Sequence, residues 1–152
     1  MVKRIGKMVV VQGTRHTPVS DFSADAVTWL LWAEQTYAGA HVLFNDGNPF
    51  LWFSAATLGH QALEMFLKAA LIKTGRRIDK SDVWGHDLVG LARELEKTGV
   101  VFPLGFLDDL QRFNDFFEEL RYPHPAVKVQ DLGSMEGELL DALVLTLQPL
   151  AK

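Results

Sequence analysis

Between Phe22 and Leu150, apolar residues recur three and four positions apart in five runs, and the first four runs each stop at proline, glycine or a cluster of turn formers. Such spacing puts one apolar stripe on each of five helices, and a stripe of that kind is stable only when buried against another element. In the first run Ala26, Leu30, Ala33, Tyr37, Ala40 and Phe44 follow Phe22 on one face, with Ser23 and Asp25 placed to cap it and Asn45-Asp-Gly-Asn-Pro49 to break it. A second helix is predicted to start near Pro49, with Leu51, Ala55, Leu58, Ala62, Met65, Ala69 and Ile72 as its seam and Gly75 as its end. The third spans Asp87 to Lys97 with Leu88, Leu91, Ala92 and Leu95 inward. The fourth carries Leu107, Leu110, Phe113, Phe117 and Leu120 up to Tyr122-Pro-His-Pro125. The fifth runs from about Asp131 to Leu150 with Leu132, Met135, Leu139, Leu140, Leu143 and Leu147 on one side. Short connections between helices of this length favour antiparallel neighbours. The expected fold is therefore all-α, an antiparallel up-and-down bundle of four to five helices over residues 21–152, preceded by an arm over residues 1–20.

A chain of 152 residues, 48% of them apolar, can bury a full core without staples. It has no cysteine, which removes disulfides, thiolate nucleophiles and cysteine-based metal sites and fits a cytoplasmic protein. The net charge of −4 gives no global attraction for nucleic acid or an anionic membrane, so any polyanion must find a local basic site. The longest uncharged stretch, Gly47 to Leu63, is interrupted by Asn48, Pro49, His60 and Gln61, so no membrane span is expected. The apolar run Met8 to Val11 is too short for a signal peptide.

Three groups of residues could carry chemistry. His60, Glu64 and Lys68 are four apart and share one face of the second helix. They make either a helix ion pair beside a partly buried imidazole or a phosphate-binding site with His60 as a base. Trp84-Gly-His86-Asp87-Leu88 puts a histidine just before the third helix, where Asp87 is most simply its cap. Arg121 followed by His124 between two prolines sets a cation close to an imidazole, although an arginine there also complements a helix C-terminus. A metal is the rival occupant, with His60 and Glu64 as ligands completed by His41, His86 or His124, but no Glu-x-x-His or His-Glu-x-x-His pattern supports it. No glycine-rich phosphate loop and no Gly-x-Ser-x-Gly occurs, and no cofactor is expected.

The run Gly59-His-Gln-Ala-Leu-Glu-Met-Phe-Leu-Lys-Ala-Ala-Leu-Ile-Lys-Thr-Gly75, then His86-Asp-Leu-Val-Gly-Leu-Ala92, then Leu120-Arg-Tyr-Pro123, resembles the HEPN (higher eukaryote and prokaryote nucleotide-binding) domain in content and order. The resemblance implies an antiparallel helical bundle, commonly a homodimer, found in toxin–antitoxin, abortive-infection and RNA-processing systems, often beside a nucleotidyltransferase or antitoxin partner. It also implies either a nucleotide- or RNA-binding module or a metal-independent ribonuclease, whose motif is an arginine followed after four to six residues by a histidine. This chain departs from that motif, with two residues between Arg121 and His124 and eleven between Arg112 and His124. On this resemblance Arg121 and His124 are the catalytic candidates, and His60, Glu64, Lys68 and His86 the nucleotide- or RNA-binding ones. Trp32, Trp52 and Phe116 exceed what the predicted seams hide, a further pointer to a homodimer.

Overall fold

The computed structural model describes residues 25–77, 85–120 and 134–152. Helix α1, Ala26–Asn45, starts where the Asp25 carboxylate accepts the Val27 amide and the Thr28 hydroxyl, both at 3.1 Å. Ser23, the other predicted cap, lies outside the described residues. After Gly47, whose φ of 87° suits glycine, Asn48 caps a single 3-10 turn, Pro49–Leu51, that feeds α2, Trp52–Lys73. Gly75 closes α2 with φ 91°, and the Arg76 amide returns to the Leu71 carbonyl at 3.1 Å, the bond that satisfies a helix end. Helix α3 is Leu88–Glu96, α4 is Phe106–Leu120 and α5 is Ser134–Ala151. The protein is an all-α antiparallel bundle, and among the described residues there is no strand and no helix long and apolar enough to cross a membrane.

The centre of the bundle is α2, which packs against each of the other four helices. Periodicity predicts a single seam for it. The structure instead buries nearly its whole circumference, because Ala56, Leu63, Phe66, Leu67, Ala70 and Leu71 are inside along with Ala55, Ala62, Met65 and Ala69. The second half of α2 needs apolar residues nearly all round and has them, whereas Phe53, Ser54, Thr57 and Gln61 leave one side of its first half exposed. In α3 all four predicted inward residues are buried. In α5 the inward face is Leu140, Leu143, Val144, Leu147 and Ala151, whereas Met135, expected inside, is 76% exposed. Trp52 and Phe116 pack against the core, so of the surplus aromatics named above only Trp32 stands on the surface.

Polar ties also fix the outer helices. Tyr37 of α1 donates to Asp141 of α5, and the His41 ring donates to the same carboxylate oxygen at 3.0 Å. Arg112 of α4 pairs with the buried Glu136 of α5. Arg76, just past α2, pairs with Glu94 of α3 at 2.9 Å, and Lys97 together with Arg76 holds the Glu94 carboxyl below the usual carboxylate range.

Candidate functional site

The stripe read from the sequence as His60, Glu64 and Lys68 lies on the side of α2 where α3 begins, and the structure brings His86 to it. Glu64 is at the centre. Its Oε1 accepts from Lys68 Nζ at 2.7 Å, and its Oε2 accepts from His86 Nδ1 at 2.9 Å. Lys68 is buried, with its ammonium 5.8 Å from the Trp29 ring centroid, near enough for a cation–π contribution. A lysine in such a place is stable as a cation only beside a carboxylate, so Glu64 and Lys68 close as a neutral pair.

His60 is the support beneath His86. It is almost completely buried, its Nε2–H donates to the His86 carbonyl at 3.0 Å, and its ring stacks on Phe117 of α4 with centroids 4.3 Å apart. Burial lowers its pKa below the ordinary histidine value, against the smaller opposing pull of Glu64. Because the folded protein refuses a proton that the unfolded chain accepts, stability is expected to fall as pH drops below about 6.5 and to level off once the folded value is passed. Urea unfolding at pH 7.0, 6.0 and 5.0 checks this. His60→Gln, which keeps a donor but does not titrate, is expected to flatten the decline; an equal slope in both proteins would contradict the assignment.

The start of α3 is held by a clasp that sequence reasoning did not find. Asn114 of α4 accepts from the Leu88 amide at 2.9 Å through Oδ1 and donates to Asp87 Oδ1 at 2.8 Å through Nδ2. Asp87 itself caps α3, accepting the Val89 amide at 3.1 Å as its position predicted. The available signal was a polar residue between the inward Phe113 and Phe117 of an otherwise apolar face. Phe117 also meets the His86 ring, at 5.6 Å and tilted.

These contacts leave His86 fixed at its backbone and at Nδ1 while its side chain is 59% exposed. With Nδ1 committed to Glu64, Nε2 is the ring nitrogen left for a ligand. Such a group can accept a hydroxyl proton or hold an anion. His41, offered above as a metal ligand, sits instead with Tyr37 and Asp141. Among the described residues no group of three or more His, Asp or Glu side chains is placed to hold a metal. Arg121 and His124 lie outside the described residues.

A helical bundle wrapped around one buried helix, with a histidine–carboxylate–lysine cluster at the edge of that helix, is thus the frame of any function here. A family model of the HEPN domain matches residues 26–143, and the chain belongs to the HEPN family. Searches of curated proteins and of solved structures return no significant match.

Proposed function

We propose that the protein is a cytoplasmic nucleotide- or RNA-binding HEPN module that takes a phosphate group at His86. The observation carrying this is the pairing of His86 Nδ1 with the mostly buried Glu64 carboxylate, which orients a side chain that is otherwise 59% exposed and leaves Nε2 for a ligand. A surface histidine with no role needs no buried carboxylate behind it, nor a second histidine under its carbonyl. His60, Glu64 and Lys68 build and orient the site, while His86 touches the ligand. Arg121 belongs to the same proposal as a forked phosphate donor and His124 as a second imidazole. In sequence Arg121 follows Phe117, the ring against both histidines, by four positions. The working unit is a homodimer, and the family's toxin–antitoxin and defence settings make an antitoxin or nucleotidyltransferase a fitting protein partner.

Fluorescence anisotropy with a labelled single-stranded RNA, and competition by ATP, tests the binding. His86→Ala is expected to weaken it about tenfold, the loss of one charge-assisted hydrogen bond, with little change in stability. Arg121→Lys is expected to bind less well than wild type, because an ammonium cannot reproduce the fork. Unchanged affinity in His86→Ala would overturn the assignment. RNA cleavage to 2′,3′-cyclic phosphate ends in the presence of chelator, abolished by His124→Ala, would instead make the protein a ribonuclease that tolerates the shortened motif.

A further inference from the structure

Helices α1 and α5 run antiparallel. Gln148 donates to Glu34 Oε1 at 2.8 Å near one end of the pair, Tyr37 and His41 donate to Asp141 midway, and Gly137 lies against Phe44 beyond them. His41 and Asp141 are 48% and 38% exposed, so this line of contacts is the floor of a furrow open to solvent. Helix spacing supplies its walls. On α1, Ala38 lies four residues past Glu34 and three before His41, with Leu31 and Val42 continuing the same flank; on α5, Glu138 and Leu145 lie three before and four after Asp141. All five are exposed, Leu31, Val42 and Leu145 by more than half. The furrow is acidic as well as apolar. Neither α1 nor α5 contains a lysine or arginine, and among the described residues none pairs with Glu34, Glu138 or Asp141.

We propose that this furrow is the docking site of the chain's own N-terminal arm, with the apolar run over residues 8–11 against its walls and Lys3, Arg4 and Lys7 beside its carboxylates. Residues 1–20 lie outside the described residues, and their sequence selects them as the occupant. They hold Lys3, Arg4, Lys7 and Arg15 and no Asp or Glu, so they bring only positive charge to a furrow whose formal charges are all negative. Met8, Val9, Val10 and Val11 supply apolar surface for Leu31, Val42 and Leu145. The other acidic surface fails this second requirement, because α4 presents Asp108, Asp115, Glu118 and Glu119 with no exposed apolar residue among them. Length permits the contact. Helix α1 is about 30 Å long, and residues 12–24 can span about 45 Å, so the run reaches any point of the furrow from Asp25. Joined to α1, the arm meets the furrow within one molecule, at an effective concentration that a separate protein does not match. The contact is independent of any ligand at His86.

Because the chain has no cysteine, one introduced thiol carries a nitroxide at a chosen place, and paramagnetic broadening of the arm's backbone amide signals in the full 15N-labelled chain tests the contact. The label is attached to Ala142→Cys, an exposed position beside Glu138 and Leu145 on α5, and separately to Asp115→Cys on α4, with circular dichroism confirming wild-type helicity. If Ala142→Cys fails to fold, Gln35→Cys on the exposed side of α1 takes its place. The signals of residues 7–11 are expected to lose most of their intensity with the α5 label and little with the α4 label. Reversing the arm's charge with Lys3→Glu, Arg4→Glu and Lys7→Glu together is expected to restore most of that intensity. Broadening by the α4 label alone, or by neither label, would overturn the docking. Broadening that persists undiminished in the charge-reversed arm would overturn the charge selection on which this occupant rests. Equal broadening when the label is carried only by unlabelled-nitrogen chains mixed with 15N chains would assign the furrow to the arm of a second copy and overturn the assignment to the chain's own.

Discussion

Glu64→Ala is expected to destabilise the protein by about 3 kcal/mol and to lower its Tm by roughly 10 °C. Glu64 is mostly buried and is the carboxylate that both Lys68 and His86 hold. Its removal takes the counter-charge from an ammonium that is 2% exposed and leaves a void between α2 and the start of α3. Breaking one side of a buried pair costs far more than the pair contributes, because the remaining charge has already lost its water. The double variant Glu64→Gln/Lys68→Met separates the two roles of the cluster. It removes both charges while keeping their volume, so most of the stability is expected to return. Ligand binding is expected to stay weak, since a neutral amide holds the His86 imidazole less firmly than a carboxylate. Chemical denaturation of the single and double variants, read beside anisotropy, checks both halves. A double variant as unstable as Glu64→Ala would show that the pair is needed for the fold itself.

The second large effect is expected at Gly59, one residue before His60 on α2. A Cβ there would lie 2.8 Å from Phe113 Cε1 and 3.2 Å from Leu140 Cδ2. Both neighbours are fully buried, in α4 and α5, so neither side chain has open space to move into. Gly59→Ala is therefore expected to cost about 2 kcal/mol, and Gly59→Val about 3 kcal/mol or more, despite the better helix propensity of alanine. Gly39 on α1 provides the control. A Cβ there would meet only Leu58 Cδ1, at 3.7 Å, an ordinary contact, so Gly39→Ala is expected to stabilise by about 0.7 kcal/mol. Thermal unfolding of the two alanine variants is expected to show shifts of opposite sign. Equal shifts would mean that α2 is not enclosed as described.

The same residues show what a linear sequence can and cannot convey. Period and punctuation gave α3 in full, from the Asp87 cap through its four inward residues to Lys97, because a short amphipathic helix on the outside of a bundle has one buried face and marked ends. Helix α2 was found as a helix, but its environment was not. Apolar residues flank its polar stripe on both sides, and a seam drawn through some of them leaves out Phe66, Leu67 and Leu71, which are equally buried. Met135 was misplaced because its spacing from Leu139 fits a stripe, whereas packing against α1 and α2 selects the neighbouring line through Leu140, Val144 and Leu147.

For the site, the four-residue spacing sufficed to put His60, Glu64 and Lys68 together, since helix geometry alone dictates it. Sequence could nominate His86 but not join it to Glu64, because that contact spans two helices and depends on the clasp of Asn114 on Asp87 and Leu88. Nor could it divide the labour between two histidines. Burial makes His60 a support and exposure makes His86 the side chain proposed to meet the ligand, and burial is a property of the packed chain.

The side-chain nitrogens of His86 are the most direct place to look for the proposed ligand. Two-bond proton–nitrogen correlation spectra of protein carrying 15N-labelled histidine, recorded during titration with ATP and with a 5′-phosphorylated RNA oligonucleotide, resolve the ring nitrogens of each histidine. The account predicts a saturable movement of His86 Nε2, with His60 little affected and with the response weakened in Glu64→Gln. Saturable binding of either ligand while both His86 nitrogens stay in place, or the absence of binding by both ligands, would contradict it.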